Sequence, residues 1–275
     1  MKLIHYTTAA LALSLAATTH AGLVGFWSFD GDADADFGGW GASTQRNGGN
    51  ASNDIGYDAD VPTEISGRAS TSISFAAGAD DNILTGFNAG TAGIAGGSAA
   101  EFSISFWLKR GTSAYGNSNN DNFLYLGDAT AAGGAVASFE VTSNNRLASY
   151  YFNGNRVSGN NQLGTDTWQH WVLTYSTNHG TSKLYVDGVL DNTSTVASST
   201  NAVVLPNGAS IAIGNRVTED NQGEDFKLAE LAIYDNVLTQ GEITALAAGS
   251  NPVPEPSSLA LLGLGGLLIA RRRRN

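Results

Sequence analysis

The stretch Phe102-Ser103-Ile104-Ser105-Phe106-Trp107-Leu108-Lys109 decides the fold of this chain, because apolar and mostly polar residues alternate along it. The phenylalanines, the isoleucine and the leucine share one face of an extended chain. Trp107 and Lys109 share the other face with the two serines. This period of two predicts a β-strand with one buried face.

Further segments with strand character lie on both sides of this stretch. Asp187-Gly188 separates two apolar runs and is typical of a two-residue hairpin turn. Three Gly-, Asn-, Asp- and Ala-rich segments, 31–60, 78–100 and 111–122, are predicted as loops. The other predicted strands are Leu23–Phe29, Thr71–Phe75, Phe123–Leu126, Ala135–Val141, Arg146–Phe152, Trp168–Ser176, Ser182–Val186, Ser210–Gly214 and Phe226–Tyr234. Many short strands joined by turns favour a sandwich or a barrel.

One helix is predicted near the end of this series. Thr239-Gln240-Gly241-Glu242 has the pattern of a capping box, in which Thr and Glu satisfy backbone N–H groups at a helix start. Ile243, Leu246 and Ala247 supply an apolar stripe, and Gly249 predicts the end of the helix.

Both ends of the chain carry targeting patterns. Lys2, an apolar stretch from Ala9 to Ala17 and the ending Thr19-His20-Ala21 form a secretory signal peptide, with cleavage expected after Ala21. At the other end, the apolar run Leu259–Ala270 precedes Arg271, Arg272, Arg273 and Arg274. As a helix this run reaches only about 18 Å, short of a bilayer core of about 30 Å. Its arginines favour the cytoplasmic side, which leaves the preceding chain outside.

The body between these ends is strongly acidic. Of 14 basic residues, 9 remain without Lys2 and the four tail arginines, and 24 of 25 acidic residues remain without Glu255. The body therefore carries a charge of about −15, more negative than the −11 of the whole chain. Such a surface repels nucleic acid, and we expect no nucleic-acid partner. The chain has no cysteine, which excludes disulfides and thiolate metal sites.

An ordered set of motifs resembles laminin-G-like, concanavalin A-like domains. The set contains Gly25–Asp30, Phe102–Lys109, Thr167–Tyr175, Leu184–Val189, Ile211–Gly214, Ala229–Asp235 and Leu238–Leu246. The resemblance covers roughly residues 22–248. It implies an all-β fold, an antiparallel two-sheet jelly-roll sandwich with one short C-terminal helix.

The tail resembles the PEP-CTERM sorting signal. Pro254, Glu255 and Pro256, the short apolar helix and the arginine cluster carry this resemblance. It implies processing by an exosortase-type transpeptidase after transient anchoring in the inner membrane of a Gram-negative bacterium, and delivery to the cell surface or extracellular matrix. The domains are therefore a signal peptide at 1–21, the concanavalin A-like domain at 22–250 and the sorting and transmembrane tail at 251–275.

The sequence contains few residues in patterns that hydrolase activity requires. A retaining glycosidase needs two carboxyl groups about 5–5.5 Å apart. The Glu-x-Asp-x-x-Glu pattern of the related hydrolases is absent. The body has only His170 and His179 as possible bases for a Ser-His-Asp triad. His170 falls in a strand motif where a core or hydrogen-bonding role is expected.

Calcium is the cofactor that the sequence suggests. Asp30, Asp32, Asp34 and Asp36 follow the first predicted strand, without the glycine and the acid that an EF-hand needs at its loop positions 6 and 12. Related folds hold a calcium ion between an acid near the first strand and an acid on the last strand. The resemblance places these acids at Asp30 and Glu230, although Ala229 breaks the family's acidic pair. Solvated turn residues are the alternative interpretation.

Trp107 is the candidate centre of a sugar-binding platform. It lies on the polar face of its strand, and Tyr150, Tyr185 and the Asn144–Asn161 segment are candidates to extend such a surface. The alternative is that Trp107 packs under a loop or a neighbouring strand.

The function expected from these patterns is a noncatalytic, exported module for adhesion or polysaccharide binding. A structural matrix protein without a small ligand is the first alternative, and a glycan-active hydrolase is the second.

Overall fold

A computed structural model describes residues 22–46, 55–76, 82–94, 101–112, 121–127, 135–141, 144–150, 156–176, 180–195, 210–214 and 225–253. These residues form fifteen strands and one helix. The strands are β1 (Leu23–Trp27), β2 (Gly41–Arg46), β3 (Ile55–Asp58), β4 (Ser72–Phe75), β5 (Asn82–Gly86), β6 (Glu101–Arg110), β7 (Asp121–Gly127), β8 (Ala135–Val141), β9 (Leu147–Tyr150), β10 (Arg156–Ser158), β11 (Trp168–Ser176), β12 (Thr181–Val186), β13 (Val189–Thr195), β14 (Ser210–Ile213) and β15 (Phe226–Tyr234), and the helix is α1 (Gln240–Ala247).

The strands form two antiparallel sheets. Sheet A has eight strands, in the order β13-β12-β11-β6-β15-β4-β3, with β1 also paired to β15. Sheet B has seven strands, in the order β10-β9-β8-β7-β14-β5-β2. The predicted two-sheet antiparallel sandwich is therefore confirmed.

Alternation along the central strands places the core between the two sheets. On β6, Phe102, Ile104, Phe106 and Leu108 are at most 2% exposed and belong to the main apolar cluster. Phe106 meets Phe139 of sheet B edge to face, with ring centroids 5.0 Å apart. The period of two that identified β6 therefore also identifies its core-facing side.

The predicted strands are confirmed with small shifts at their ends, but four strands, β2, β3, β5 and β10, were missed. β2, β3 and β5 lie in the segments 31–60 and 78–100, so the prediction that these segments are loops throughout is wrong. β2 and β3 are the outermost strands of sheets B and A on one side of the sandwich. Short outer strands tolerate polar residues and glycine, so their sequences resemble loops.

Helix α1 covers part of the outer face of sheet A. Its predicted capping box is present, with the Thr239 hydroxyl accepting from the Glu242 N–H and the Glu242 carboxylate accepting from the Thr239 N–H. Ile243 and Leu246 are buried in a second apolar cluster, which also contains Val172 and Tyr185 on the outer face of the sheet. The predicted C-terminal helix is therefore confirmed, and it packs on the sandwich.

A bulge in β15 organises the rest of this outer face. The pairing of β15 with β6 shifts between Ala229 and Ala232, and Glu230 has a left-handed φ of 49°. Glu230 is 4% exposed and accepts two hydrogen bonds from Arg68, at 2.6 and 2.7 Å. The same guanidinium donates to the backbone carbonyls of Gly249 and Ser250. Arg68 thus ties its own segment to the last strand and to the residues directly after α1.

The predicted N-terminal and C-terminal signals lie outside the described residues. This holds for the signal peptide 1–21 and for residues 254–275, which include the apolar run Leu259–Ala270. Within the ranges that the structure describes, no helix is long and apolar enough to cross a membrane.

Replacing Arg68 with alanine is expected to destabilise the fold by about 2–3 kcal/mol, because it leaves the Glu230 carboxylate buried without its cation. This expected loss is smaller than that for a fully buried ion pair, because the Arg68 side chain is itself 27% exposed. Urea unfolding measures the change, and Lys183→Ala on β12 controls for the loss of one positive charge. An Arg68→Ala variant as stable as the parent would contradict a stabilising role for this pair.

Candidate functional site

The predicted aromatic platform is covered in the structure. Trp107 is 4% exposed and packs with Ile65, Ala69 and Ala229 under the segment before β4. Tyr185 is 7% exposed and packs in the cluster beneath α1. The sequence placed Trp107 on the correct face, but the interpretation of an exposed ring is wrong because the polar face of β6 is covered.

Tyr150, the third predicted aromatic, lies on β9 of sheet B. Its backbone pairs with Ser138 on β8 and with Arg156 on β10. The structure therefore does not unite it with Trp107, which lies on sheet A. Its side chain is outside the described part of the structure, and a ligand role for Tyr150 stays a prediction.

The two predicted calcium ligands have other partners. Asp30 accepts hydrogen bonds from the backbone and hydroxyl of Ser70, and the hydroxyl contact lowers the pKa of Asp30. Burial raises the pKa of Glu230, and Arg68 opposes this shift. Among the described residues, no group of three or more His, Asp or Glu side chains is arranged to hold a metal ion. Calcium at Asp30 stays a prediction, and Glu230 is already neutralised by Arg68.

His170 has a buried hydrogen-bonding role. It is 2% exposed, and its Nε2 lies 2.9 Å from the Ser105 hydroxyl on the neighbouring strand. Its Nδ1 is buried without a partner among the described residues. Desolvation lowers the pKa of His170 to about 3, so the ring is neutral at physiological pH. Because the Ser105–His170 pair is closed to a substrate, it does not support nucleophilic catalysis.

Two lysines face each other near one end of sheet A. Lys109 on β6 and Lys227 on β15 are direct partners in the antiparallel register. Like charges at such positions repel. Asp60 resolves the conflict, because its carboxylate accepts from both ammonium groups at 2.9 Å and from the indole N–H of Trp168 at 3.0 Å. Burial raises the pKa of Asp60, but these three hydrogen bonds outweigh it and lower the pKa to about 2.

A polar cleft opens beside this lysine pair. Two cavities, of about 220 and 340 Å³, share Lys227 and Asp225 among their lining residues. Lys109 and Asp166 line the first cavity, and Asp58 lines the second. We refer to these two cavities together as the lysine–aspartate cleft. A Cβ atom at position 111 would collide with the Asp225 carboxylate, so glycine allows this carboxylate to lie against the backbone there.

Sequence reasoning missed the lysine–aspartate cleft because its residues come from distant parts of the chain. Asp60 and Lys227 are 167 positions apart, and no short motif contains both. One signal was present: Lys109 and Lys227 are two of only nine basic residues in the body, and both lie in predicted strands.

Comparison with protein families finds two matches along the chain. Residues 69–244 match the family described as the concanavalin A-like lectin/glucanases superfamily. Residues 252–274 match the PEP-CTERM protein-sorting motif. The first match covers more than half of the chain, and the second covers the predicted sorting tail.

Similar solved structures include domain 4 of an extracellular arabinanase from Geobacillus stearothermophilus in complex with arabinotriose. It is 20% identical with a TM-score of 0.58, and the match covers 83% of this chain and 99% of that one. The ligand-binding domain of botulinum neurotoxin serotype D, in complex with N-acetylneuraminic acid, is 13% identical with a TM-score of 0.60. That match covers 84% of this chain and 51% of the other.

A sialidase from Trypanosoma rangeli is 14% identical with a TM-score of 0.57, over 84% of this chain and 34% of that chain. One curated relative is 25% identical over 118 residues: the sushi, von Willebrand factor type A, EGF and pentraxin domain-containing protein 1 of Rattus norvegicus. The match covers 40% of this chain and only 3% of that relative. The likenesses to the three solved structures show a shared fold.

The buried His170 predicts a pH dependence of stability. Because its folded pKa is about 3 and its ordinary pKa is 6.5, the unfolded chain takes up the proton first as the pH falls. Stability is then lost below pH 6.5, at up to about 1.4 kcal/mol per pH unit. Between pH 7 and pH 5, the parent is expected to lose about 2 kcal/mol more than a His170→Gln variant.

Urea unfolding at several pH values measures this difference. His179 is present in both proteins, so its contribution cancels. Equal losses of stability in the parent and in His170→Gln would show that burial of this ring does not set the dependence.

Proposed function

Because the chain belongs to the concanavalin A-like lectin/glucanase superfamily and ends in a PEP-CTERM sorting motif, we propose that it is a noncatalytic polysaccharide-binding protein of the bacterial surface. The conjunction of these two matches in one chain carries the proposal. It joins a fold used for binding glycans to a signal for export and sorting.

Two described carboxylates, Asp60 and Glu230, are unsuited to glycosidase catalysis. Glycosidases need a carboxylic acid that stays protonated near neutral pH, beside a second carboxylate in an open site. Beside the lysine–aspartate cleft, Asp60 has a pKa of about 2 and therefore stays ionised. Glu230 has a raised pKa, but it is buried against Arg68. Neither residue fits the role of a general acid.

The sorting motif supports a route to the surface. We infer that an exosortase-type transpeptidase recognises Pro254, Glu255 and Pro256 while the apolar run and Arg271–Arg274 hold the chain at the inner membrane. Processing then leaves the acidic sandwich at the surface or in the extracellular matrix of a Gram-negative host. Its charge of about −15 favours solubility there.

Binding is tested with the full chain in mild detergent, against immobilised neutral and acidic polysaccharides. We expect retention on at least one polysaccharide, with no release of reducing sugar. Retention on none of them would favour a structural matrix protein without a glycan ligand. Release of reducing ends would make the protein a hydrolase and contradict the noncatalytic role.

Sorting is tested in a bacterium that carries the exosortase-type enzyme. Pro254, Glu255 and Pro256 are replaced together by alanine, and Asn275→Ala serves as the control. The parent and the control are expected at the surface in a shortened form, whereas the triple variant accumulates in the inner membrane at its longer length. The same length and location for all three proteins would argue against recognition of this motif.

A further inference from the structure

We propose that the lysine–aspartate cleft at the end of sheet A is the binding site for an uncharged saccharide. This inference rests on the proposed function and adds the place and the charge class of the ligand. Its location differs from that of the aromatic residues selected from the sequence, because Trp107 and Tyr185 are buried.

The cleft combines hydrogen-bond donors with acceptors at short range. The Lys109 ammonium pairs with Asp60 and Asp166, and the Lys227 ammonium pairs with Asp60 and Asp58. An ammonium group has three N–H donors, so these contacts leave one donor on each lysine. A sugar hydroxyl both donates and accepts, so it matches a wall where ammonium groups and carboxylates alternate.

These side chains are held in place before any ligand arrives. Asp60 anchors both lysines from one side, and the Trp168 indole N–H fixes Asp60 in turn. Lys109 and Lys227 are only 17% and 28% exposed, and both extend from central strands of sheet A. Polar groups on rigid strands lose little conformational freedom when they bind, which favours specific recognition.

The charge of the cleft selects the class of saccharide. Asp58, Asp60 and Asp166 outnumber the two lysines that they contact, which leaves an excess of about one negative charge. An acidic sugar would therefore be repelled locally, and also by the acidic body as a whole. The two ammonium groups disfavour a metal ion in the same place. An uncharged polyhydroxylated ligand satisfies both constraints.

The size and the walls of the cleft suit a short stretch of a sugar chain. Ligand sites in proteins commonly enclose about 300–1,000 Å³, and the two neighbouring cavities here, which share Asp225 and Lys227, measure about 220 and 340 Å³. Ile55 and Phe75 line the second cavity. Ile55 is only partly buried, so it supplies an apolar contact beside the charged groups, whereas Phe75 is buried in the core.

The test measures binding of the full chain to a panel of neutral and acidic oligosaccharides by calorimetry or glycan array. Asp166→Asn and Asp225→Asn remove one charge each from the cleft, and Asp235→Asn removes one at the opposite end of β15. Asp166 is 70% exposed, so its replacement leaves the fold intact. Thermal unfolding verifies that each variant is folded.

We expect the parent to bind a neutral oligosaccharide with an affinity that changes little between low and high salt. Each cleft variant is expected to bind about tenfold more weakly, and Asp235→Asn to bind like the parent. Unchanged affinity in folded cleft variants would overturn this site and leave the proposed function standing. Salt-sensitive binding of acidic sugars, without binding of neutral ones, would overturn the inference that the ligand is uncharged. No binding at all would overturn both proposals.

Discussion

The ion pair between Arg68 and Glu230 is the constraint on which the outer face of sheet A depends. Glu230 is buried at the bulge where β15 stops pairing with β4 and begins to pair with β1. A buried carboxylate needs a cation close by, and Arg68 supplies it from the segment before β4. That segment is thereby held over Trp107, and the carbonyls of Gly249 and Ser250 are held against the same guanidinium.

This covering layer decides where a ligand can approach. Helix α1 covers Val172 and Tyr185, and the Arg68 segment covers Trp107 and Ala229. Lys109 and Lys227 lie outside the areas covered by α1 and by the Arg68 segment. Asp60 offsets the repulsion between these two adjacent lysines by accepting a hydrogen bond from each. The covering of the outer face and the polarity of the sheet end therefore depend on the same connection, since Asp60 and Arg68 both lie between β3 and β4.

Local patterns allowed most of the strands and the helix to be predicted, and the family resemblance supplied the two-sheet arrangement. Alternation identified β6 and its core-facing side, Asp187-Gly188 identified the hairpin, and the capping box identified α1. The strands β2 and β3 were missed because short outer strands tolerate polar residues and glycine and so lack a clear apolar alternation. Alternation shows which face of β6 carries Trp107, but it does not show whether another segment covers that face. The partner of Glu230 is 162 positions away, which no local pattern reveals.

The candidate site, like the fold, depends partly on local sequence patterns and partly on contacts between residues far apart in the sequence. Each lysine could be assigned to the polar face of its strand, yet only the register of β6 against β15 places them opposite each other. That juxtaposition makes a carboxylate necessary, and Asp60 meets the need while Asp58 and Asp166 add further acceptors. The excess of acid that neutralises two lysines also leaves the cleft slightly negative. The carboxylates that offset the repulsion between the two lysines thus also give the cleft a mixture of donors and acceptors that can bind an uncharged sugar.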